Sequence, residues 1–156
     1  MAHADAVAAI RAWTRLDQAL TAFNRELDRN YGVTGVQLAI MRLVHEWGPQ
    51  VQLSDLRSRL VMHPATLGQL LDRLVARDLV DLSADAFDRR RRLVELTEHG
   101  YKIMLAAPLA GPVRLRHIDA DPGRLRRLAK ALTDAIDLFG LEGYVVDRSG
   151  PVSGPE

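Results

Sequence analysis

Cysteine is absent from this 156-residue chain, and long apolar runs are missing as well. Without cysteine, the sequence excludes a disulfide framework, a thiolate zinc site, a cysteine nucleophile and a thiol redox sensor. No apolar run approaches the roughly 18 residues that a membrane span needs. The N-terminal segment also lacks the basic region and the apolar stretch of a signal peptide. We therefore expect a cytoplasmic protein with no membrane partner.

An excess of one charge is also missing, because 21 Lys and Arg residues and 20 Asp and Glu residues leave a net charge of +1. Taken alone, this balance argues against a nucleic-acid partner, which usually requires a basic surface. The length favours one compact domain or two small lobes, and 47% hydrophobic residues suffice for a core. An aromatic content of only 5%, with abundant Leu, Ala and Arg, favours helices.

Two apolar stripes at helical spacing lie towards the two ends of the chain. The first ends shortly before Gly32, a typical helix-ending residue, and the second begins after Asp121-Pro122. Their members are Trp13, Leu16, Leu20, Phe23 and Leu27 in the first, and Leu125, Leu128, Ala129, Leu132, Ala135, Ile136 and Phe139 in the second. Such a stripe packs either inside its own chain or against another subunit. The N-terminal helix has few obvious local partners, which favours a subunit interface.

Between the stripes, the sequence predicts helices joined by a tight turn. A capping box of Thr34 and Gln37 begins the first helix, which ends at Trp47-Gly48-Pro49. A short helix follows over about 53–60, and Pro64 begins another that continues to about residue 77. One side of this last helix carries leucines, and the opposite face holds small and polar residues, namely Ala65, Gln69, Asp72 and Ala76. That face is either simply solvated or able to approach another molecule closely.

An arginine-rich hairpin follows. Residues 79–82 and 92–96 are predicted as short strands, and four consecutive arginines, at 89–92, precede the second strand. Such a cluster on a protruding loop favours contact with phosphate or entry into a narrow minor groove. The alternative is a solvated charge run with local Asp–Arg pairs. After the hairpin, Thr97 caps a helix, which we expect to break at 108–112 because of its Pro and Gly residues.

The order of these elements predicts a winged helix-turn-helix. Its second helix would lie in a major groove while the basic hairpin, as a wing, reaches the neighbouring minor groove. The predicted fold class is therefore mainly α with a small β-hairpin wing, and the winged lobe is flanked by N- and C-terminal dimerisation helices.

The sequence resembles the MarR family of bacterial transcriptional regulators over about residues 33–104. The most specific part of the resemblance is Asp88-Arg89-Arg90 followed by Leu96-Thr97-Glu98-His99-Gly100. Further matching segments are 33–37, 53–56, 63–66, 71–75 and 79–80. The helices over 4–30 and 121–139 also sit where that family places its dimerisation helices.

The resemblance implies a homodimer that binds a pseudo-palindromic operator in double-stranded DNA, more often as a repressor, without a cofactor. It divides the chain into an N-terminal dimerisation helix (1–32), a DNA-binding lobe (33–97), C-terminal helices that complete the dimerisation region (98–142) and a flexible tail (143–156). Contacts between subunits would then fall on the two apolar stripes, at Trp13, Leu16, Leu20, Leu128, Leu132, Ile136 and Phe139.

Residue by residue, the resemblance implies the following DNA contacts. The major groove is assigned to Ala65, Thr66, Gln69 and Arg73, the wing to Arg90, and phosphate at the start of its helix to Ser54. His63, just before Pro64, is expected either to cap the helix that follows or to contact phosphate. Arg89 and Arg91 are further candidates, although strand alternation prevents all neighbours from facing the duplex. Asp88 would orient a wing arginine, because its own charge opposes phosphate.

Several positions depart from the family pattern. Ala65 stands where Ser is frequent, Gln69 where a basic residue is common, and Asp78 where a Gly usually precedes Leu-Val. Gly68 is a poor residue for a helix interior. These departures remove positive charge from the lobe and bear on the specificity and affinity for DNA rather than on the fold.

The family also implies a small aromatic or phenolic effector in a crevice beside the winged lobe. Candidate wall residues are Trp13, Tyr31, His45 and Trp47. The alternative is that these four side chains only pack the junction. The absence of cysteine excludes the thiol-oxidation switch that some members use.

Three other readings compete with a ligand-controlled DNA-binding protein. A metal-responsive regulator of the same fold would draw ligands from Glu98, His99, His117 and Asp119, without cysteine and without close His spacing. A protein-interaction module would use the basic wing on an acidic partner. The chain has no G-x-S-x-G, Walker loop, H-E-x-x-H or dinucleotide turn, so we predict no enzyme and no metal site.

Overall fold

The structure, a computed structural model, describes residues 2–146 and is mainly helical with one small sheet. In chain order its elements are α1 (Ala2–Tyr31), α2 (Gly35–Trp47), β1 (Val51–Gln52), α3 (Leu53–Arg59), α4 (Pro64–Ala76), β2 (Val80–Ala84), β3 (Arg92–Leu96), α5 (Glu98–Ala106), a 3-10 helix (Pro112–Arg116), α6 (Pro122–Leu138) and a 3-10 turn (Glu142–Tyr144). The predicted fold class is confirmed. The predicted tail lies outside the described residues from residue 147 onward.

The predicted capping box at the start of α2 is confirmed. Gly32, with φ at 67°, ends α1 and turns the chain towards the lobe. The Thr34 hydroxyl then accepts the Gln37 amide at 3.2 Å, and the Gln37 side chain accepts the Thr34 amide at 2.9 Å. Gln37 is buried, but this bond satisfies its carbonyl oxygen. The box therefore fixes how α2 leaves the turn after α1.

The core of the winged lobe is built from the leucine side of α4, the inner faces of α2 and α3, and the sheet. Its most deeply buried side chains are Leu38, Ile40, Met41, Val44, Leu56, Leu67, Leu71, Leu74, Val80 and Val94. Three of these leucines belong to α4, at the spacing that the sequence predicts for its inward side. The opposite face of α4 is consequently left to solvent.

The sheet has three antiparallel strands in the order β1-β3-β2. Val94, at the centre of β3, is paired with Leu82 on one side and with Val51 on the other. The two wing strands were predicted, whereas β1 was not. A strand of two residues shows no alternation of apolar and polar residues that a sequence pattern could detect. β1 forms because β3 provides it with hydrogen bonds and with Val94 as a buried partner for Val51.

A Schellman motif leads from α4 into the wing. The Asp78 amide donates to Val75 O at 3.0 Å and the Leu79 amide to Leu74 O at 2.9 Å. Asp78 itself has φ at 56°, in the left-handed region. This conformation explains why a glycine suits the position and why Asp, which tolerates it better than most side chains, can replace it.

The predicted break after α5 is confirmed: the helix ends at Ala106, and a 3-10 helix occupies Pro112–Arg116. Three side chains bind this connection to α1 and α2. The Tyr31 hydroxyl donates to Ala106 O at 3.1 Å, Arg42 Nη2 donates to Ala107 O at 3.1 Å, and Arg116 Nη2 donates to Glu46 Oε1 at 2.6 Å. That last hydrogen bond lowers the pKa of the Glu46 carboxyl. Burial lowers the pKa of the Arg42 guanidinium, whose Nε has no partner among residues 2–146.

The N-terminal apolar stripe is divided between two environments. Its C-terminal end, at Phe23 and Leu27, packs into the lobe core, whereas Trp13 and Leu16 are 47% and 46% exposed. Along α6 the structure records no buried residue. The first packing alternative weighed for this stripe, packing inside its own chain, therefore holds for its C-terminal end. A subunit interface at its exposed end stays a prediction. None of the helices within residues 2–146 is long and apolar enough to cross a membrane.

Candidate nucleic-acid interface

The start of α4 is organised by His63 and Pro64. Pro64 occupies the first helical position, where no amide proton is needed, and His63 Nδ1 accepts the Ala65 amide at 3.2 Å. The predicted capping role of His63 is therefore confirmed. Because Nδ1 accepts this amide, the ring nitrogen that remains able to donate is Nε2. Since the residue is exposed, that N–H is free to meet a phosphate oxygen.

The outer face of α4 presents short side chains around two longer polar ones. Ala65, Thr66, Gln69 and Arg73 are all exposed. Short residues at the helix start permit close approach to a surface, while Gln and Arg carry the donors that recognise base edges in a major groove. Asp72, exposed on the same face, adds a carboxylate that opposes phosphate and accepts from cytosine N4. The arrangement is that of a helix able to contact bases.

The wing turn is held by two aspartates. Asp85 Oδ1 accepts the Phe87 amide at 2.8 Å, and Asp88 Oδ1 accepts the Arg90 amide at 3.0 Å. The turn closes where the Asp85 amide donates to Arg91 O at 2.9 Å. These local bonds replace strand pairing at the tip and fix its conformation.

The four wing arginines are not equivalent. Arg91 Nε lies 3.4 Å from Asp88 Oδ2, and this is the only ion pair that the structure records within the wing residues. Arg89, Arg90 and Arg92 are exposed. The alternative of local Asp–Arg pairing thus accounts for one arginine of the four. Asp88 contacts Arg91 and the Arg90 backbone, as its proposed orienting role requires, and that role stays a prediction.

Sequence reasoning missed two features of this face. Asp85, which holds the wing turn, follows an alanine and carries no motif that marks it. Phe87 is fully exposed at the wing tip. A single aromatic residue in a polar segment does not indicate by itself whether its side chain is exposed. Ser54, by contrast, lies exposed in the first turn of α3, as expected.

The four candidate wall residues of an effector crevice are not brought together. Trp13 packs edge-on against Phe139 at 5.7 Å between ring centroids, His45 lies 5.2 Å from Tyr101, and the Arg59 guanidinium lies 4.7 Å above the Trp47 ring. Tyr31 is bonded to the end of α5. These contacts agree with the alternative that such residues pack local junctions.

An apolar cleft of about 320 Å³ lies elsewhere, between α1, α2, the turn before α4 and the connection after α5. Its lining includes Leu20, Phe23, Asn24, Val36, Ala39, Ile40, Leu60, Met62, Pro112 and Val113. Asn24 is its one polar side chain with an amide, and that amide already accepts from Gly35 at 2.6 Å and donates to Leu20 O at 3.0 Å. Leu20, assigned to the dimer interface from the sequence, also lines this cleft, and its role in a dimer stays a prediction. Among the described residues, no charged side chain lines the cleft.

Within the described part of the chain, no three His, Asp or Glu side chains lie close enough together to hold a metal ion. The four candidates Glu98, His99, His117 and Asp119 are therefore not gathered into one group there.

Residues 31–91 match the sequence model of the MarR family, and this segment spans the helix-turn-helix and the wing tip. This segment of the chain is similar to the MarR family. The match begins at the end of α1 and covers α2, α3, α4 and the turn that carries the arginines. The MarR resemblance is thereby confirmed in the lobe whose geometry is described above.

Two curated relatives share this segment. The repressor NicR of Pseudomonas putida is 36% identical over 72 residues, which is 46% of this chain and 45% of NicR. The transcriptional regulator HosA of Escherichia coli O157:H7 is 40% identical over 75 residues, which is 48% of this chain and 55% of HosA. The chain thus matches about half the length of these relatives. Both are named as regulators, in agreement with the prediction that the chain is not an enzyme.

Solved structures extend the likeness beyond the lobe. AbsC, a MarR family regulator of Streptomyces coelicolor, is 27% identical with a TM-score of 0.60, covering 85% of this chain and 93% of AbsC. A mutant MarR of E. coli complexed with operator DNA is 22% identical with a TM-score of 0.54, covering 80% and 95%. The organohalide-sensing regulator RdhR in its 2,4-dichlorophenol-bound form is 16% identical with a TM-score of 0.59, covering 83% and 80%. The latter two show a shared fold.

Proposed function

We propose that this chain is a sequence-specific DNA-binding transcriptional regulator that acts as a homodimer on a pseudo-palindromic operator in the cytoplasm. The observation that carries the proposal is the exposed face of α4, whose short residues surround Gln69 and Arg73, beside a wing tip with unpaired arginines among the described residues. A repressor is favoured because the relative NicR is named as one. The first test is a gel shift at low salt with DNA from upstream of the chain's own gene; no shift would refute the proposal.

The proposed division of labour between helix and wing follows from side-chain chemistry. Gln69 offers the paired donor and acceptor that read an adenine edge in the major groove, whereas Arg90 offers charge to the narrow minor groove. Ser54 and His63 contact phosphate from the starts of their helices. Arg73 and Arg89 contact the same DNA strands. Arg91 contributes to DNA binding while it remains paired with Asp88.

Two substitutions separate base reading from electrostatics. Arg90→Ala is expected to weaken binding to all sequences about tenfold or more and to lower the salt slope by roughly one per wing. Gln69→Ala is expected to relax the preference at one base pair in each half-site, by roughly 1–3 kcal/mol, and to leave the salt slope unchanged. Both are measured by fluorescence anisotropy across a salt series and a set of single-base operator variants.

Lys130→Ala is the matched charge control, because it removes one exposed positive charge from α6, far along the chain from the wing. It should leave the affinity within twofold of the wild type. If Arg90→Ala and Gln69→Ala weakened every sequence equally, the division of labour between helix and wing would be wrong.

The dimer proposal rests on unburied apolar surface. Trp13, Leu16, Leu132 and Phe139 are each more than 40% exposed in the single chain, and Trp13 packs against Phe139, so the apolar stripes of α1 and α6 meet. A contiguous apolar surface of this kind is typical of subunit interfaces. A two-fold partner would cover it with its own copy of the same stripe. Leu128 and Ile136 belong to this surface, whereas Leu20 is assigned to the cleft.

The effector proposal moves from the residues named in the sequence to the apolar cleft. Because its walls carry no charge and its asparagine is already bonded, the cleft favours an uncharged aromatic compound over a carboxylate. RdhR, which shares the fold, is known in a form bound to 2,4-dichlorophenol. Such a ligand would release DNA only to the extent that it binds the DNA-free form more tightly.

A pair of probes that share one dichlorophenyl ring tests the cleft. Neutral 2,4-dichlorophenol, at a pH below its own ionisation, is expected to bind at least tenfold more tightly than 2,4-dichlorobenzoate, since the latter would lose the hydration of its charge. Ala39→Phe, which fills the cleft, should abolish binding of the phenol by calorimetry and leave the gel shift intact. Equal binding of the two probes, or full binding by Ala39→Phe, would place the ligand elsewhere.

A further inference from the structure

Phe87 is the most exposed aromatic side chain of the chain's described residues, with a relative exposure of 100%. It stands at the tip of the wing between Asp85 and Asp88, two residues before Arg89. A phenyl ring held wholly in water forgoes the apolar burial that normally stabilises such a residue. Its position therefore calls for a partner outside the chain.

The tip is built to hold this ring outward. The Phe87 amide donates to Asp85 Oδ1, and the next turn is closed by Asp88 through the Arg90 amide. The backbone on both sides of Phe87 is thus fixed by side-chain bonds, and its conformation does not depend on packing of the ring. Pre-organisation of this kind lowers the entropy lost when the ring is inserted into a partner.

The chemistry around Phe87 identifies the partner as DNA rather than as an apolar protein surface. Arg89 and Arg90 follow it after Asp88, both exposed and both outside the ion pair of the wing. An apolar ring with guanidinium groups close behind it combines the two parts of a minor-groove wedge, in which cations are held by the groove and an apolar side chain enters a base step. An apolar protein partner would have to desolvate the same arginines.

On the basis of the proposed function, we propose that Phe87 enters the minor groove with Arg90 and wedges into a base step, bending the operator at each wing. Insertion partly unstacks the step and kinks the duplex towards the major groove. Pyrimidine–purine steps such as TA and CA/TG unstack most easily. Phe87 thereby selects sequence at positions that α4 does not touch, and it supplies specificity that a near-neutral protein cannot draw from charge.

The experiment uses the full chain and a duplex selected by the wild-type protein from a random-sequence library. The bend is measured by energy transfer between dyes at the two duplex ends, and unstacking by 2-aminopurine placed at the step beneath the wing. Phe87→Ala is expected to reduce the bend, to abolish the 2-aminopurine signal and to lower affinity about tenfold, with an unchanged salt slope because no charge is lost. Phe87→Leu, which keeps an apolar wedge, should retain most of the bend.

The same series separates this inference from the function on which it rests. Failure of the wild-type protein to select any duplex would refute DNA binding and the wedge together. Selection of a duplex, followed by an unchanged bend in Phe87→Ala, would overturn the wedge alone, whatever the affinity did. Phe87→Ala should melt within about 1 °C of the wild type, because the ring touches no core residue, so any change in the bend is not one of folding.

Discussion

Replacing Gly100 with alanine is expected to destabilise the winged lobe by about 3 kcal/mol or more, the largest effect of such a change among the described glycines. A Cβ at this position would overlap the carbonyl oxygen of Leu79 and lie 2.8 Å from its carbonyl carbon. The obstacle is backbone, which cannot rotate away as a side chain does. Gly100 is itself held, since its amide donates to the Thr97 hydroxyl at 2.9 Å.

The Leu79 side of this contact is equally restrained. Thr97 donates its amide to Leu79 O at 3.2 Å and its hydroxyl to Asp78 O at 2.6 Å. Separating α5 from the wing strand to make room for a methyl group would lengthen both bonds, which hold the end of α4 to the start of α5. The clash therefore weakens the contacts that hold α4, the wing strands and α5 together, so its effect extends beyond Gly100.

Gly68→Ala is the matched control, because it makes the same change within another helix. A Cβ there meets no atom of the described chain within 4 Å, so the gain in helix propensity should stabilise the protein by about 0.5–1 kcal/mol. Urea unfolding of both variants at one protein concentration measures the difference. A Gly100→Ala variant within 1 kcal/mol of the wild type would mean that the lobe can open at this joint, contrary to the packing described.

Leu132→Arg is expected to convert the protein into a monomer and to reduce affinity for a two-half-site operator at least about a hundredfold. Leu132 is 49% exposed on the apolar stripe of α6, and a charge there would be buried in the dimer without a partner. Because each subunit of the proposed dimer would place one α4 in one half-site, loss of the dimer would remove the linkage between two binding events. Sedimentation at micromolar concentration and anisotropy with the operator measure the two effects.

Leu138→Arg adds the same charge to the same helix at a position that is already 80% exposed and lies off the stripe. It should remain dimeric and bind the operator as the wild type does. If both variants dimerised equally well, subunit contact would have to use another surface, and the proposed role of the stripes would be withdrawn.

The features that the sequence predicts well are those set by neighbours along the chain. Three helix starts depend on residues within one helical turn, so residue type and spacing determine them. They are the capping box of Thr34 and Gln37, the start of α4 at Pro64 and the cap formed by Thr97. The apolar side of α4 was equally readable, since a 3.6-residue period places its leucines on one side regardless of what they meet.

The features that escaped prediction depend on segments distant along the chain. β1 exists through pairing of Val51 with Val94, and the apolar cleft forms where Phe23, Ala39 and Val113 converge. The ring contacts of Trp47 with Arg59 and of His45 with Tyr101 were not predicted for the same reason, and the effector role of these residues stays a prediction. Periodicity assigns a side chain to a face, but only the fold decides which element that face meets.

Because α1 is long, a small tilt of this helix at the cleft moves its far end by a larger distance. The helix is 30 residues long, so it extends about 45 Å, more than the spacing of one DNA turn. The cleft touches it at Leu20, Phe23 and Asn24, between the end seated in the lobe and the end that carries Trp13. A tilt of about 5° at this pivot displaces the N-terminal end of the helix, about 30 Å away, by about 3 Å. In the proposed dimer, a ligand no larger than one aromatic ring would thus change the distance between the two copies of α4, which it never touches.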